Sequence, residues 1–312
     1  MGFVLFVLVA VLALLVVSGG YVFYTACLRR KELPWLDEEE LKKTSYGKYC
    51  QYISAGHKWL QTHKTEEISV QSEDGLTLRG IWVPAQEPKG TVLLAHGYRS
   101  CIFADFSMVF DFYHKLGWNM LLPYQRAHGK SDGKYITFGV KESRDMLCWV
   151  DFHNSTFGKL PMILSGLSMG ASTVMYLADE PLPKNVKGII ADCGFTSPRA
   201  ILSKVFKSVT HLPAAPTLLV TELFARCIAG FGLTQKDTRK TLAVNRLPII
   251  LVHGTGDHFV PCEMTKQSFE ACTGPKQLFL VEGAAHGVSF LSDPEGYKAL
   301  VQNFIKKILE EK

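Results

Sequence analysis

The pentapeptide Gly166-Leu167-Ser168-Met169-Gly170 constrains this chain more than any other stretch. A strand-like run, Pro161-Met162-Ile163-Leu164-Ser165, leads into it, and a helix-forming run, Ala171 to Ala178, leaves it. A chain that turns from strand to helix within five residues leaves no room for side chains at the flanks of the turn, which is where the two glycines stand. The serine at the apex then projects above the sheet, beside a helix N-terminus that favours negative charge. A hydroxyl that merely caps the helix would ask nothing of the rest of the chain. A nucleophilic one needs a base, and a further group to fix the tautomer of that base.

Both groups are found beyond later expected strands. His286 follows the apolar run Gln277 to Val281, in Glu282-Gly283-Ala284-Ala285-His286-Gly287, and its neighbouring glycines let the loop reach inward. Asp257 follows Pro248 to Val252, in His253-Gly254-Thr255-Gly256-Asp257. The chain order Ser168, Asp257, His286 suits a site built at one edge of a parallel sheet. Asp192 also ends an expected strand, Val186 to Ala191, and stays open as an alternative partner for the base. His253 and His258 read as surface or supporting residues, and Asp293, just before Pro294, as a helix cap. An attacked carbonyl also needs donors for its developing charge; the expected ones are the backbone N–H groups of Tyr98 and Met169. His96 reads as a brace for the Gly97-Tyr98 loop. This chemistry needs no metal and no organic cofactor.

Strand-sized and helix-sized runs alternate through the chain, the mark of an α/β fold with a mainly parallel sheet covered on both faces. Glu67 to Gln71 and Leu76 to Val83, joined by Glu73-Asp74-Gly75, read as a hairpin. Thr91 to Ala95 and Asn119 to Pro123 read as strands, and Phe106 to Leu116 and Val140 to Phe152 as helices. Tyr297, Leu300, Val301, Phe304, Ile305 and Ile308 form the buried stripe of a last helix. Residues 193–247 are more than a crossover needs, and the apolar face of Ile201, Leu202, Val205, Phe206 and Val209 suggests a small helical cap there.

These residues together resemble the α/β-hydrolase superfamily, in particular the serine-hydrolase branch that includes monoglyceride-lipase-like and prolyl-aminopeptidase-like proteins. The resemblance runs over roughly residues 67–309. It implies an α/β-hydrolase fold: an eight-stranded, mostly parallel sheet with helices on both faces, a Ser168-Asp257-His286 triad, an oxyanion loop at Gly97-Tyr98 and often a cap before the acid. Pro123-Tyr124-Gln125-Arg126-Ala127-His128-Gly129-Lys130-Ser131 is similar to that family's Asp-x-Arg-Gly-His-Gly-x-Ser loop, with Tyr124 at the Asp position and Ala127 at a Gly position.

Residues 1–28 are of a different kind. They hold no charged side chain, and an apolar helix of about 20 residues spans the hydrocarbon layer while satisfying its own backbone. Arg29, Arg30 and Lys31 follow at once, so the expected arrangement is a single-pass anchor with the catalytic domain in the cytoplasm. A cleaved signal near Ser18-Gly19-Gly20, or processing before Cys27, is the alternative. The expected divisions are an anchor over 1–28, a connector and leading helix over 29–66, and a hydrolase domain over 67–312 with its cap within 193–247.

Hydrophobic residues at 47% allow a sizeable core, and the net charge of +5 is dispersed, so nucleic-acid binding is not expected. The eight cysteines show neither a CxxC pair nor zinc-ligand spacing and read as mostly free thiols. The expected activity is cleavage of carboxylic esters through an acyl-enzyme, with lipid-like acyl groups favoured by the apolar interval. A serine aminopeptidase acting on short peptides and an acyl-thioesterase are alternatives. An inactive membrane-associated scaffold or binding protein is the rival of a different class.

Overall fold

Eight strands form one sheet in the order β1-β2-β4-β3-β5-β6-β7-β8. They are β1 (Glu66–Gln71), β2 (Thr77–Val83), β3 (Gly90–Ala95), β4 (Trp118–Pro123), β5 (Met162–Leu167), β6 (Val186–Asp192), β7 (Ile249–Gly254) and β8 (Lys276–Val281). The computed structural model describes residues 1–44 and 46–310; residues 311 and 312, the end of the expected hydrolase domain, lie outside the described residues. β1 and β2 form the expected antiparallel hairpin, and β2 runs antiparallel to β4. All later pairings are parallel. The strand order reverses between β3 and β5, which opens a crevice at their C-terminal ends, where ligands of open α/β sheets bind.

The helices that bear on the core and the site include α1 (Gly2–Cys27), α2 (Cys50–Thr62), α3 (Val140–Thr156), α4 (Met169–Met175), α5 (Pro198–Thr210), α6 (Ala215–Phe224) and α7 (Pro294–Glu310). One expected element is corrected. The run 106–116 is not a single helix but parts of two, Ile102–Phe106 and Phe110–Lys115. At the break Ser107 lies against Gly56 of α2, so closely that a Cβ on Gly56 would strike it, and its hydroxyl donates to the Ile53 carbonyl at 3.4 Å. Close packing of α2 at this point overrides the local helical pattern.

Alternation along the strands sorts the core into two layers. Val92, Leu94, Met120, Leu122, Ile163 and Ile190 face one side, under α2, Phe110–Lys115 and the Tyr297–Ile308 stripe of α7. Leu93, Leu121, Leu164, Ile189 and Leu251 face the other, under Met146 and Trp149 of α3 and Val174 of α4. A third apolar cluster stands apart from the sheet. It joins Phe23 and Cys27 of α1 to Phe138, Met169, Phe195, Ile201, Leu202 and Leu218.

The loop after β4 is held by charge. Arg126 is buried and gives two 2.6 Å hydrogen bonds to Asp145 of α3. It gives two more, of 2.9 and 3.0 Å, to Asp74 in the β1–β2 turn. Ala127 next to it has φ +62, the left-handed conformation for which a glycine is usual. Replacing Arg126 by Met leaves Asp145 buried without its cation; the expected loss of stability is about 3–5 kcal/mol, read by urea unfolding.

Candidate active site

Ser168 occupies the corner between β5 and α4 with φ +55 and ψ −114, a backbone conformation that L-residues adopt only under constraint. The constraint is visible on both sides. Its N–H donates to the Asp192 carbonyl at 2.8 Å, and its carbonyl accepts from Ser172 N–H at 3.1 Å. A Cβ on Gly170 would strike the Ala95 backbone at the end of β3, and one on Gly166 would strike Gly170 itself. Both glycines are therefore required by close backbone approach, as the spacing of the motif suggested.

The three side chains singled out in the sequence meet. His286 Nε2 lies 2.9 Å from Ser168 Oγ, and His286 Nδ1 lies 2.6 Å from Asp257 Oδ2. Ser168 is 5% exposed, and the Asp257 side chain is fully buried. Asp257 also accepts at Oδ1 from the N–H groups of Phe259 and Val260, at 2.8 and 2.9 Å. Burial pushes its carboxyl up, but hydrogen bonds from His253 and His286 and from the Val260 N–H prevail and hold it well below the usual carboxylate range. Such a line can pass the serine proton to the imidazole while the carboxylate fixes the ring and balances its charge.

His253 is a supporting residue rather than a surface one. It is buried, with Nε2 at 3.0 Å from the Val260 carbonyl and 3.2 Å from Asp257 Oδ2. Since Nε2 must donate to that carbonyl, Nδ1 accepts from the Thr265 hydroxyl at 2.7 Å. His258 is exposed. Asp293 accepts from Gly296 N–H at 2.9 Å, at the start of α7. Asp192 does not touch His286; its Oδ1 accepts from the Ser289 hydroxyl at 2.9 Å. Burial pushes its carboxyl up to about 6.

The Gly97-Tyr98 loop lies beside the serine: a Cβ placed on Gly97 would come within 3.4 Å of Ser168 Cβ. Neither Tyr98 N–H nor Met169 N–H has an acceptor among the described residues. The loop is braced from below. His96 Nδ1 donates to the Gly97 carbonyl at 2.9 Å and its Nε2 accepts from Gln125 N–H at 3.1 Å, while burial pulls the ring down to about 4 and keeps it neutral. His128 plays the same part for Arg99, accepting its N–H at 3.0 Å.

Asp105 is a site residue that sequence reasoning missed. Buried beneath the loop, it accepts from Gly97 N–H and from the Ser100 hydroxyl, both at 2.6 Å. No local pattern announces it, because its partners become neighbours only when the loop folds back over the short helix Ile102–Phe106.

The last turn of α1 was missed as well. Tyr98 donates its hydroxyl to the Ala26 carbonyl at 2.8 Å, and Arg99 donates to the Thr25 and Leu28 carbonyls at 2.5 and 3.3 Å. These carbonyls have no partner within the helix, and the active-site loop caps them.

Comparisons with known proteins agree with this architecture. Residues 86–222 match the family model described as "Serine aminopeptidase, S33". The chain is similar to the uncharacterized protein YqkD of Bacillus subtilis, 26% identical, over 78% of this chain and 80% of that one. It is also similar to the uncharacterized membrane protein YNL320W of Saccharomyces cerevisiae, 22% identical, over 77% and 79%. Among solved structures, the Pyrococcus furiosus esterase Pf2001 superposes with a TM-score of 0.65 at 25% identity, covering 79% of this chain and 93% of that one. The sheet order, the mostly parallel pairing and these matches place the chain in the α/β-hydrolase superfamily.

Proposed function

We propose that this α/β-hydrolase is a serine esterase that works through an acyl-enzyme. The reading is carried by the continuous hydrogen-bonded line from Asp257 Oδ2 through His286 to Ser168 Oγ, 2.6 and 2.9 Å. His286 Nε2 takes the hydroxyl proton as Ser168 Oγ bonds to the ester carbonyl carbon. The N–H groups of Tyr98 and Met169 receive the oxyanion. When the carbon–oxygen bond to the alcohol breaks, His286 returns its proton to that alcohol. Water, deprotonated by His286, then attacks the acyl-serine; the carboxylic acid leaves and Ser168 regains its hydrogen.

An aminopeptidase is the second reading, favoured by the family model. A free substrate amine calls for an available carboxylate near the serine. Among the described residues, Asp105 is the one carboxylate lining the two cavities at Ser168, and Gly97 and Ser100 already occupy it. The ester reading makes no such demand. A thioester would fit the same machinery, and an inactive scaffold would have no use for a serine held in strain against a base.

On the same proposal, residues 1–28 form a retained membrane anchor, 29–66 a connector with a leading helix, and 67–312 the hydrolase domain, capped by helices within 193–247. α1 is apolar and long enough to span a bilayer. Ser18 and Gly19 pair with Thr217, Val220 and Thr221 of α6, so cleavage near Gly20 would strip that helix of its partner. Arg29 to Lys31 favour a cytoplasmic domain.

Ser168→Ala is expected to abolish labelling by a fluorophosphonate probe, and Asp257→Asn to lower kcat on short p-nitrophenyl esters by about 10⁴-fold without loss of fold. A folded natural chain that neither labels nor cleaves a broad ester panel would sink the proposal in favour of the scaffold.

Asp192 gives a contrasting expectation. Its carboxyl, 3.8 when free and about 6 in the fold, holds its proton more tightly in the folded state. The stability this contributes is present below pH 4 and is lost as pH rises towards and through the folded value. Asp192→Asn removes that loss, so it stabilises the protein by up to about 3 kcal/mol at pH 8 and by little at pH 4. Urea unfolding at the two pH values reads the difference. An activity loss matching that of Asp257→Asn would instead make Asp192 the partner of His286.

A further inference from the structure

Two cavities meet at Ser168. One, of about 510 Å³, passes Tyr46, Lys48, Asp105 and His286. The other, of about 220 Å³, is apolar, and its walls include Phe138, Phe195, Leu202 and Val205 together with Thr25 and Ala26 from the last turn of α1. The N-terminal helix therefore ends inside the wall of a cavity that opens on the candidate nucleophile.

We propose that α1 is part of the substrate site: its last turn walls a pocket for the acyl chain of the ester, and that chain arrives from the lipid leaflet lying against α1 and α6. The inference rests on the serine-esterase reading and adds to it the substrate class and the route of entry.

The first support is that the wall is fixed. Ala26, Thr25 and Leu28 are tied through their carbonyls to Tyr98 and Arg99. Past the helix, Arg29 donates to the Ser131 carbonyl at 2.7 Å and to the Gly129 carbonyl at 2.6 Å, and Ile136 N–H donates to the Cys27 carbonyl at 2.7 Å. A helix that served only as a tether would need none of these bonds.

The second support is the pairing of α1 with α6. Gly19 lets the helices approach until a Cβ on it would lie 2.6 Å from Val220 Cβ. Thr221 donates its hydroxyl to the Gly19 carbonyl at 3.1 Å, and Ser18 meets Thr217 at 3.4 Å. Small residues with hydroxyl cross-bonds are how helices associate within a membrane.

The third is depth. Tyr21 and Tyr24 are exposed on α1, as interfacial aromatics are, eight and five residues before the basic run that starts at Arg29. A span of about 20 residues ending at those tyrosines includes the segment against which α6 packs. The outward leucines of α6, Leu219 at 58% and Leu223 at 60% exposure, then lie at the level of acyl chains. Val209 and Leu212, at and just past the end of α5, are exposed apolar side chains as well, and Lys207 of the same helix is an exposed cation suited to a lipid phosphate. A chain leaving the leaflet along α1 meets Thr25 and Ala26 first.

The full chain in phosphatidylcholine nanodiscs, reacted with a decyl fluorophosphonate bearing a terminal diazirine, tests the wall without any substitution. Photocrosslinks are expected on the peptides holding Thr25–Ala26 and Leu202–Val205; crosslinks confined to Tyr46–Tyr49 would overturn the proposal. Ala26→Phe should lower the ratio of kcat/KM for p-nitrophenyl decanoate over acetate by about tenfold or more, and an unshifted ratio counts against the wall. Leu219→Glu with Leu223→Glu should lower the same ratio for decanoate presented in vesicles; no change refutes entry from the leaflet. If a small fluorophosphonate fails to label Ser168 of the natural chain, the esterase reading falls and takes this inference with it. A labelled enzyme with unshifted ratios defeats the inference alone.

Discussion

The close crossing of α4 over the ends of β3 and β5 is the constraint from which the rest of the site follows. At Gly170 the helix backbone touches the last carbonyls of β3, and only an absent side chain permits it. That contact drives Ser168 into its positive-φ conformation, at a cost of about 1–3 kcal/mol. The central parallel strands, buried on both faces, are rigid enough to sustain it. The strain has a geometric consequence: the hydroxyl is lifted clear of the helix, so it meets His286 rather than the N–H groups it would otherwise cap.

Three buried carboxylates surround this corner, and their donors decide what each can do. Asp257 receives two backbone N–H groups and two imidazoles and keeps its charge well into acid. Asp192 receives one hydroxyl, and burial lifts it to about 6. Asp105 receives one N–H and one hydroxyl, and burial lifts it to about 6 as well. Only Asp257 combines a firm negative charge with contact to His286, which is what a transient imidazolium requires. The other two hold neighbouring segments: Asp105 the loop through the Gly97 N–H, Asp192 the Ser289 hydroxyl.

This distinction was not legible in the chain. Asp192 and Asp257 both follow apolar strands, and local sequence does not report which way a loop turns after its strand ends. What could be read were features that local chemistry enforces: the glycines of the serine turn, the uniformly apolar strands of a sheet covered on both faces, and the stripe Tyr297 to Ile308. The split of the expected helix at Ser107 was hidden because Gly56, which causes it, lies some fifty positions earlier. Ala127 shows the limit from the other side: a glycine position filled by alanine gives no conformational warning, yet φ there is +62. Arg126 and its two aspartates likewise sit far apart in sequence and meet only through the fold.

The N-terminal helix exposes the deepest ambiguity of an apolar run, since lipid and protein interior ask the same of a side chain. Residues 1–14 are exposed throughout, whereas Phe23 and Cys27 are core. One helix thus passes from an exposed stretch to a buried one along its length, and composition alone cannot mark the crossing. Polar groups mark it instead, because the helix's unpaired end carbonyls must find donors wherever the helix enters the protein. Those donors come from Tyr98 and Arg99, the residues that follow Gly97 on the loop beside Ser168. Whatever tilts or displaces α1 must therefore strain or break the caps on that loop. The seating of the N-terminal helix and the geometry around the serine share one set of hydrogen bonds.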